Sequence, residues 1–146
     1  MNYIKIKELI DNNLNILEIG DYGKGTSEDW ILKAEIRLGV KFPKSFVWWL
    51  KKYNGMEING EEVFSIYELN FDGVVGGDIV YINELNRNNG ILNKNQIAIQ
   101  ENNQRDTFYF DLDKVNDQQE VQIFSDISGE MYAENFYAFL KKKFSE

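Results

Sequence analysis

The side chains that could do chemistry in this sequence are carboxylates, lysines and tyrosines, because its 146 residues include no histidine and no cysteine. The missing residues exclude a Ser-His-Asp triad, histidine-ligated metals, thiolate nucleophiles, iron–sulfur clusters and disulfides. Histidine is the commonest acid–base group near neutral pH. Carboxylates, lysine and tyrosine can also transfer protons, but no arrangement of them here suggests an active site. We therefore expect a protein that is not an enzyme and needs no cofactor.

Two local patterns resemble binding motifs. Asp111 and Asp113 are two residues apart at the end of a predicted strand, so both could face one side and hold a divalent cation. Solvated acids at a strand end are the simpler interpretation, and we expect no metal. The glycine-containing segment 19–26 lacks the G-x-x-x-x-G-K-[ST] spacing of a phosphate-binding loop, and no predicted strand precedes it.

Charge is distributed unevenly along the chain. The sequence has 24 acidic and 16 basic residues, a net charge of −8, and residues 56–135 contain 16 of the acids but four of the bases. Such a segment repels phosphate backbones, so nucleic acid is a poor partner. It would attract a basic protein over long range. The alternative is that the excess acid only keeps the protein in solution.

Neither a signal peptide nor a membrane span is predicted. Lysines interrupt the apolar residues near the N-terminus too early for a signal-peptide core. The longest apolar run, residues 46–50, is far shorter than a bilayer requires. We expect a cytoplasmic protein with no membrane partner.

Three helices are predicted in the first third of the chain. Apolar residues at three- and four-residue steps predict the first over residues 2–14. Ser27 can cap a second helix that ends at Gly39, since glycine readily adopts the left-handed conformation there. A third should follow Phe42, with Pro43 in its first turn. Its apolar face repeats at i, i+3, i+4 and i+7 and ends at Asn54-Gly55.

The second part of the chain is predicted to be mainly strands. A loop over 70–78 and a short helix over 79–88 interrupt them, and a last helix starts near Ala133. The expected strands are 63–69, 96–101, 107–112 and 121–124. Because helices and strands are segregated, we predict an α+β fold. In it, N-terminal helices precede an antiparallel meandering sheet and a C-terminal helix, within one domain over residues 1–146.

The run from Glu35 to Gly55 resembles the SUKH superfamily, a group named partly for a yeast regulator of cell-wall assembly. Its hallmark is an acid, then Leu-Gly, then Leu-Pro or Phe-Pro, then a helix with an aromatic and an apolar pair that closes on Asn-Gly. All of these elements occur here in order, and the resemblance covers roughly residues 27–144. One departure is segment 103–106, which keeps an aspartate but lacks the glycine common in that hairpin. The matching residues are Glu35, Leu38, Gly39, Pro43, Phe46, Trp49, Leu50 and Gly55.

The resemblance implies binding rather than catalysis. Most bacterial members resemble immunity proteins, which bind and neutralise a cognate toxin of a polymorphic or contact-dependent system, often a nuclease. The resemblance implies that the matching residues stabilise the fold rather than contact a partner. We expect a basic toxin as partner, contacted by acids in the loops of the sheet half, namely Asp72, Asp78, Glu84, Asp111, Asp113 and Asp117.

A second function agrees with the same resemblance. The chain could be a regulatory or scaffold module that binds endogenous proteins, as the yeast namesake does. The yeast relatives usually carry long flanking segments that this chain lacks, which favours the immunity interpretation. Toxin genes beside the gene for this chain would favour immunity, and housekeeping genes would favour the scaffold.

Overall fold

The structure, a computed structural model, describes residues 3–19 and 24–146. The central part of the predicted loop 19–26 and the start of the predicted first helix lie outside these ranges. The described residues form five α-helices: α1 (Ile4–Asp11), α2 (Glu28–Leu38), α3 (Lys44–Lys52), α4 (Ile79–Asn88) and α5 (Phe136–Phe144). None of these helices is long and apolar enough to cross a membrane.

Seven strands form one sheet, and each pairs with its neighbours in the sequence in antiparallel fashion. The predicted α+β fold with an antiparallel meander is therefore confirmed. The strands are β1 (Leu17–Glu18), β2 (Met56–Ile58), β3 (Glu61–Val63), β4 (Gln96–Glu101), β5 (Thr107–Val115), β6 (Val121–Ser125) and β7 (Met131–Ala133).

The helix ends follow from local chemistry. The Ser27 hydroxyl accepts the Trp30 amide, and Gly39 ends α2 with φ of 69°, as the sequence predicts. Pro43 precedes α3 as its N-cap, and Tyr53 is its C-cap. Asn54 then takes the left-handed conformation, with φ of 47°. The last helix begins at Phe136, three residues later than expected, because residues 131–133 form β7 and Asn135 caps the helix.

The core lies between the helices and one face of the sheet. Phe46 of α3 has its ring centroid 5.6 Å from that of Phe110 in β5 and 5.5 Å from that of Phe136 in α5. Trp49 stacks on Phe46, and both are fully buried. The clustered aromatic rings fix how α3 and α5 sit on the sheet, because each ring is confined by edge or stacking contacts on several sides.

The α2–α3 connection explains why an acid occupies position 35. The Glu35 carboxylate accepts the Phe42 amide at 2.7 Å, and its backbone oxygen accepts the Val40 amide. The resemblance implies an architectural role for this glutamate, and these two contacts agree with it. Glu35 fixes the turn that carries the chain from Gly39 to Pro43, which is a structural role.

Helix α4 lies beside the part of β4 that β3 does not cover. Strand β3 pairs with β4 at Val63 and Gln100 alone. Further along β4, the side-chain amide of Asn83 donates to the Ala98 oxygen and accepts the Ala98 amide. One buried asparagine therefore takes the place of a missing strand neighbour and fixes α4 beside the sheet.

The hairpin that lacks the expected glycine still makes its turn. Asn102 donates its amide to the Asp106 oxygen, and Arg105 takes φ of 63°. An arginine thus occupies the left-handed position that glycine adopts at lower cost.

Candidate functional site

The six acids expected to bind a partner do not form one surface. Asp72 and Glu84 lie beside α2, where Arg37 donates to Asp72 at 3.0 Å and to Glu84 at 2.9 Å. These ion pairs join the 70–78 loop, α2 and α4. The two carboxylates are therefore partly occupied within the fold.

Asp78 is a correction to the expected set. It is fully buried, and its carboxylate accepts the amides of Tyr67, Val80 and Tyr81. Because the carboxylate caps α4 and anchors the preceding strand segment, no partner can reach it. Its role is structural.

The remaining three acids lie on or beyond β5. Asp111 accepts the backbone amide of Asp113, and Asp113 accepts the side-chain amide of Asn95. Asp117 is exposed in the turn before β6. Among the described residues there is no group of three or more acids that could hold a metal ion.

The opposite side of the sheet from the core carries a row of glutamates that sequence reasoning missed. Glu18 of β1 is paired directly with Glu57 of β2, and Glu57 is paired with Glu62 of β3. Directly opposed residues share a face. Met56 and Ile58 beside Glu57 are buried, so the glutamates point outward. The Val63–Gln100 pairing then brings Glu101 next to Glu62 in the same row.

We call this side of the sheet the outer face, and Glu18, Glu57, Glu62 and Glu101 the acidic row. Like charges directly opposite each other destabilise a sheet. Glu18 and Glu57 have no hydrogen bond or ion pair with any other described residue. A mutual repulsion without local compensation is typical of residues that serve a function other than folding.

An aromatic pair continues the outer face toward β7. Tyr109 of β5 is paired with Phe124 of β6, their rings stack at 6.1 Å, and Phe124 is paired with the 45% exposed Met131. Burial raises the pKa of the Tyr109 hydroxyl, and the carboxylates of Asp111 and Asp126 raise it further. Partly buried aromatic rings flanked by acids have the composition of a protein-binding surface.

A groove of about 670 Å³ lies at the β2–β3 end of the outer face. Its wall includes Glu18, Glu57 and Glu62 of the acidic row, together with Tyr67 and Glu68 of the segment after β3. We call it the acidic groove. It offers a basic segment a concave site rather than a flat surface.

Two of the groove's carboxylates are held by hydroxyl groups. Tyr67 donates its hydroxyl to Glu62 and accepts the amide of Gly77, and Thr26 donates to Glu68 at 2.7 Å. Burial, followed by the hydrogen bond to Glu62, raises the pKa of Tyr67 to about 12. Tyr67 therefore stays a proton donor at neutral pH and orients the Glu62 carboxylate.

The sequence did contain a signal for these residues. Met56-Glu57-Ile58 alternates apolar and acidic, and Asn59-Gly60 is a frequent hairpin turn. Together they indicate a hairpin with glutamate on its solvated side. Strand β2 escaped prediction because it has only three residues. The strand predicted over 63–69 is wrong beyond Val63, because β3 ends there.

Comparisons with known proteins agree with this architecture. A model of the SMI1-KNR4 cell-wall family, SUKH_6, matches residues 28–140. A crystal structure of a protein from Pseudomonas syringae pv. tomato is similar in fold, with a TM-score of 0.68 and 14% sequence identity over 92% of this chain and 95% of that chain. Among curated proteins no match was found. The motif from Glu35 to Gly55, its placement in the core and the family match lead to one conclusion: the chain belongs to the SUKH family.

Proposed function

We propose that this protein is an immunity protein that binds a bacterial toxin and neutralises it by docking, with the outer face as its binding surface. The acidic row supports this proposal most directly. Its repulsion is reduced when a basic partner contributes opposite charges, so the same carboxylates that oppose folding favour the complex. A nuclease toxin is a suitable partner class, because its nucleic-acid site is basic.

Co-expression tests the proposal. The gene for this chain, expressed with the toxin encoded beside it, is expected to restore growth of cells that the toxin alone arrests. Failure of rescue with verified expression of both proteins would contradict the immunity function. Binding to a housekeeping protein instead would support the regulatory alternative.

The binding surface is tested with charge variants of the same protein. The variant Glu57→Gln is expected to slow association with the toxin and to weaken the dependence of association on salt. Glu8 is an exposed acid on α1, so Glu8→Gln is the matched control. It should leave the association rate and its salt dependence unchanged. Equal effects of the two variants would show that net charge, rather than the outer face, attracts the partner.

A further inference from the structure

The side chains of the acidic groove are arranged more specifically than long-range attraction of a basic protein requires. The described residues that line the groove include five charged ones, of which four are glutamates and one is Lys24. Glu62 and Glu68 are oriented by hydroxyl donors, whereas Glu18 and Glu57 have no partner among the described residues. The groove thus combines fixed and available carboxylates within a small volume.

A serine in the wall of the acidic groove is an independent sign of a ligand. Ser65 is 3% exposed, and its hydroxyl makes no hydrogen bond with any residue in the described part of the chain. It lies beside Gly55, also in the groove wall, where a Cβ would be 3.8 Å from the Ser65 oxygen. The hydroxyl is not sealed inside the core but opens on the groove. Because no described residue pairs with it, it is suited to pair with a bound group.

We propose that the acidic groove receives an arginine side chain of the protein partner and is the anchoring site of the outer face. The inference rests on the proposed function, because it names the chemical group of the partner that the surface recognises. The guanidinium would lie among the carboxylates of Glu18, Glu57 and Glu62, with the Ser65 hydroxyl as a further acceptor.

Arginine fits this arrangement better than lysine. Directly opposed side chains on neighbouring antiparallel strands have Cβ atoms roughly 5 Å apart. The planar guanidinium carries five N–H donors and can bind carboxylates on two strands at once, whereas an ammonium is a compact and more strongly hydrated charge. The partly exposed ring of Tyr67 in the groove wall adds aromatic surface on which a guanidinium can stack.

Three blocked tripeptides of the form Gly-X-Gly, with X as arginine, lysine or citrulline, are the probes. Each is titrated into the full chain labelled with nitrogen-15, and binding is followed through the amide signals of Gly55, Tyr67 and Glu68. The arginine peptide is expected to shift these signals and to bind about threefold to tenfold more tightly than the lysine peptide. Citrulline, which has the shape of arginine without its charge, should not bind.

Variants test which residues hold the peptide. Glu57→Gln is expected to weaken the arginine peptide about fivefold, and Ser65→Ala is expected to reduce the preference for arginine over lysine. Both proteins should remain folded, because neither side chain has a hydrogen bond within the described structure to lose. Glu8→Gln is the control and should bind like the wild type.

Several results would overturn the inference: equal affinity for arginine and lysine peptides, signal shifts spread over the helical side, or no effect of Glu57→Gln. The proposed function is judged separately by toxin rescue. A wild-type protein that rescues growth but does not bind the arginine peptide in the groove contradicts the anchoring site alone. A protein that binds the peptide but rescues no growth contradicts the immunity function alone.

Discussion

A single buried carboxylate, that of Asp78, connects two parts of the chain. It accepts the amides of Val80 and Tyr81 at the start of α4 and the amide of Tyr67 in the segment after β3. Because Tyr67 in turn orients Glu62, this carboxylate supports the acidic groove without being exposed in it. A residue outside the binding surface can therefore determine the geometry of that surface.

The Asp78→Ala substitution should lower the free energy of unfolding by about 2–4 kcal/mol. The loss combines a missing helix cap with a buried amide left without an acceptor. Asp117→Ala is the control, since Asp117 is exposed, and it should change stability by less than about 0.5 kcal/mol. Urea denaturation measures the free energy of unfolding of both variants. A loss as small for Asp78→Ala as for Asp117→Ala would contradict the capping role.

Asp78 also shows what the sequence could not reveal about single residues. It precedes a predicted helix, as a capping acid does, but it also lies in a loop of the acidic segment 56–135, as a binding residue would. The two roles differ only in burial, which depends on how the loop folds back against β3. The reverse holds for Glu57, whose exposure follows from its alternation with Met56 and Ile58 once the hairpin is recognised.

At the scale of elements, the segment before α2 is held tightly against the end of α3. Thr26 donates its amide to the Leu50 oxygen at 2.9 Å, and a Cβ at Gly25 would lie 1.7 Å from the Lys51 oxygen. Gly25 therefore permits close backbone contact between the two segments. Thr26 also binds Glu68, so this contact reaches the acidic groove.

Gly25→Ala and Gly39→Ala form a matched pair that separates backbone strain from a steric clash. Both glycines have positive φ, 63° and 69°, but a Cβ at Gly39 meets no atom within 4 Å. Gly39→Ala should cost about 1 kcal/mol of unfolding free energy from strain alone. Gly25→Ala should cost at least about 2 kcal/mol, because backbone atoms must also move.

Chemical denaturation compares the two alanine variants, and Gly39→Asn should recover part of the loss because asparagine tolerates the left-handed conformation. Equal costs at the two positions would show that the segment around Gly25 moves aside without penalty.

Elements with a full periodic pattern could be predicted from the sequence, and short ones could not. Helices α2 and α4 and strands β4, β5 and β6 lie where their apolar spacing placed them. Strands β1 and β7 have two and three residues, too few for a period to be recognised, and they form through pairing with neighbours rather than local preference. The acidic row depends on the short strands β1, β2 and β3, so its assembly could not be foreseen.

At the scale of the whole molecule, the sheet separates two opposed requirements. One side carries the aromatic core that stabilises the fold, and the other carries carboxylates that oppose it. The protein has a net charge of −8, and part of that charge is placed where strand pairing brings it together. Stability and binding are therefore expected to change in opposite directions when the acidic row is neutralised.

Glu57→Gln tests this trade-off, because Glu57 lies between Glu18 and Glu62 and takes part in both opposed pairs. Removing its charge should raise the free energy of unfolding by about 0.5 kcal/mol at low salt. The gain should nearly vanish at about 1 M salt, where screening acts within about 3 Å.

Glu8→Gln removes the same charge from α1, away from the acidic row, and should stabilise the protein less at low salt. Urea denaturation at both salt concentrations measures the two gains. The same Glu57→Gln protein should bind its partner more weakly, because the repulsion that it relieves is what a basic partner would otherwise neutralise. Two results would contradict the repulsion: a gain in unfolding free energy equal to that of Glu8→Gln, or a gain that salt does not change. Either would mean that the alignment of the paired carboxylates has no energetic consequence for folding.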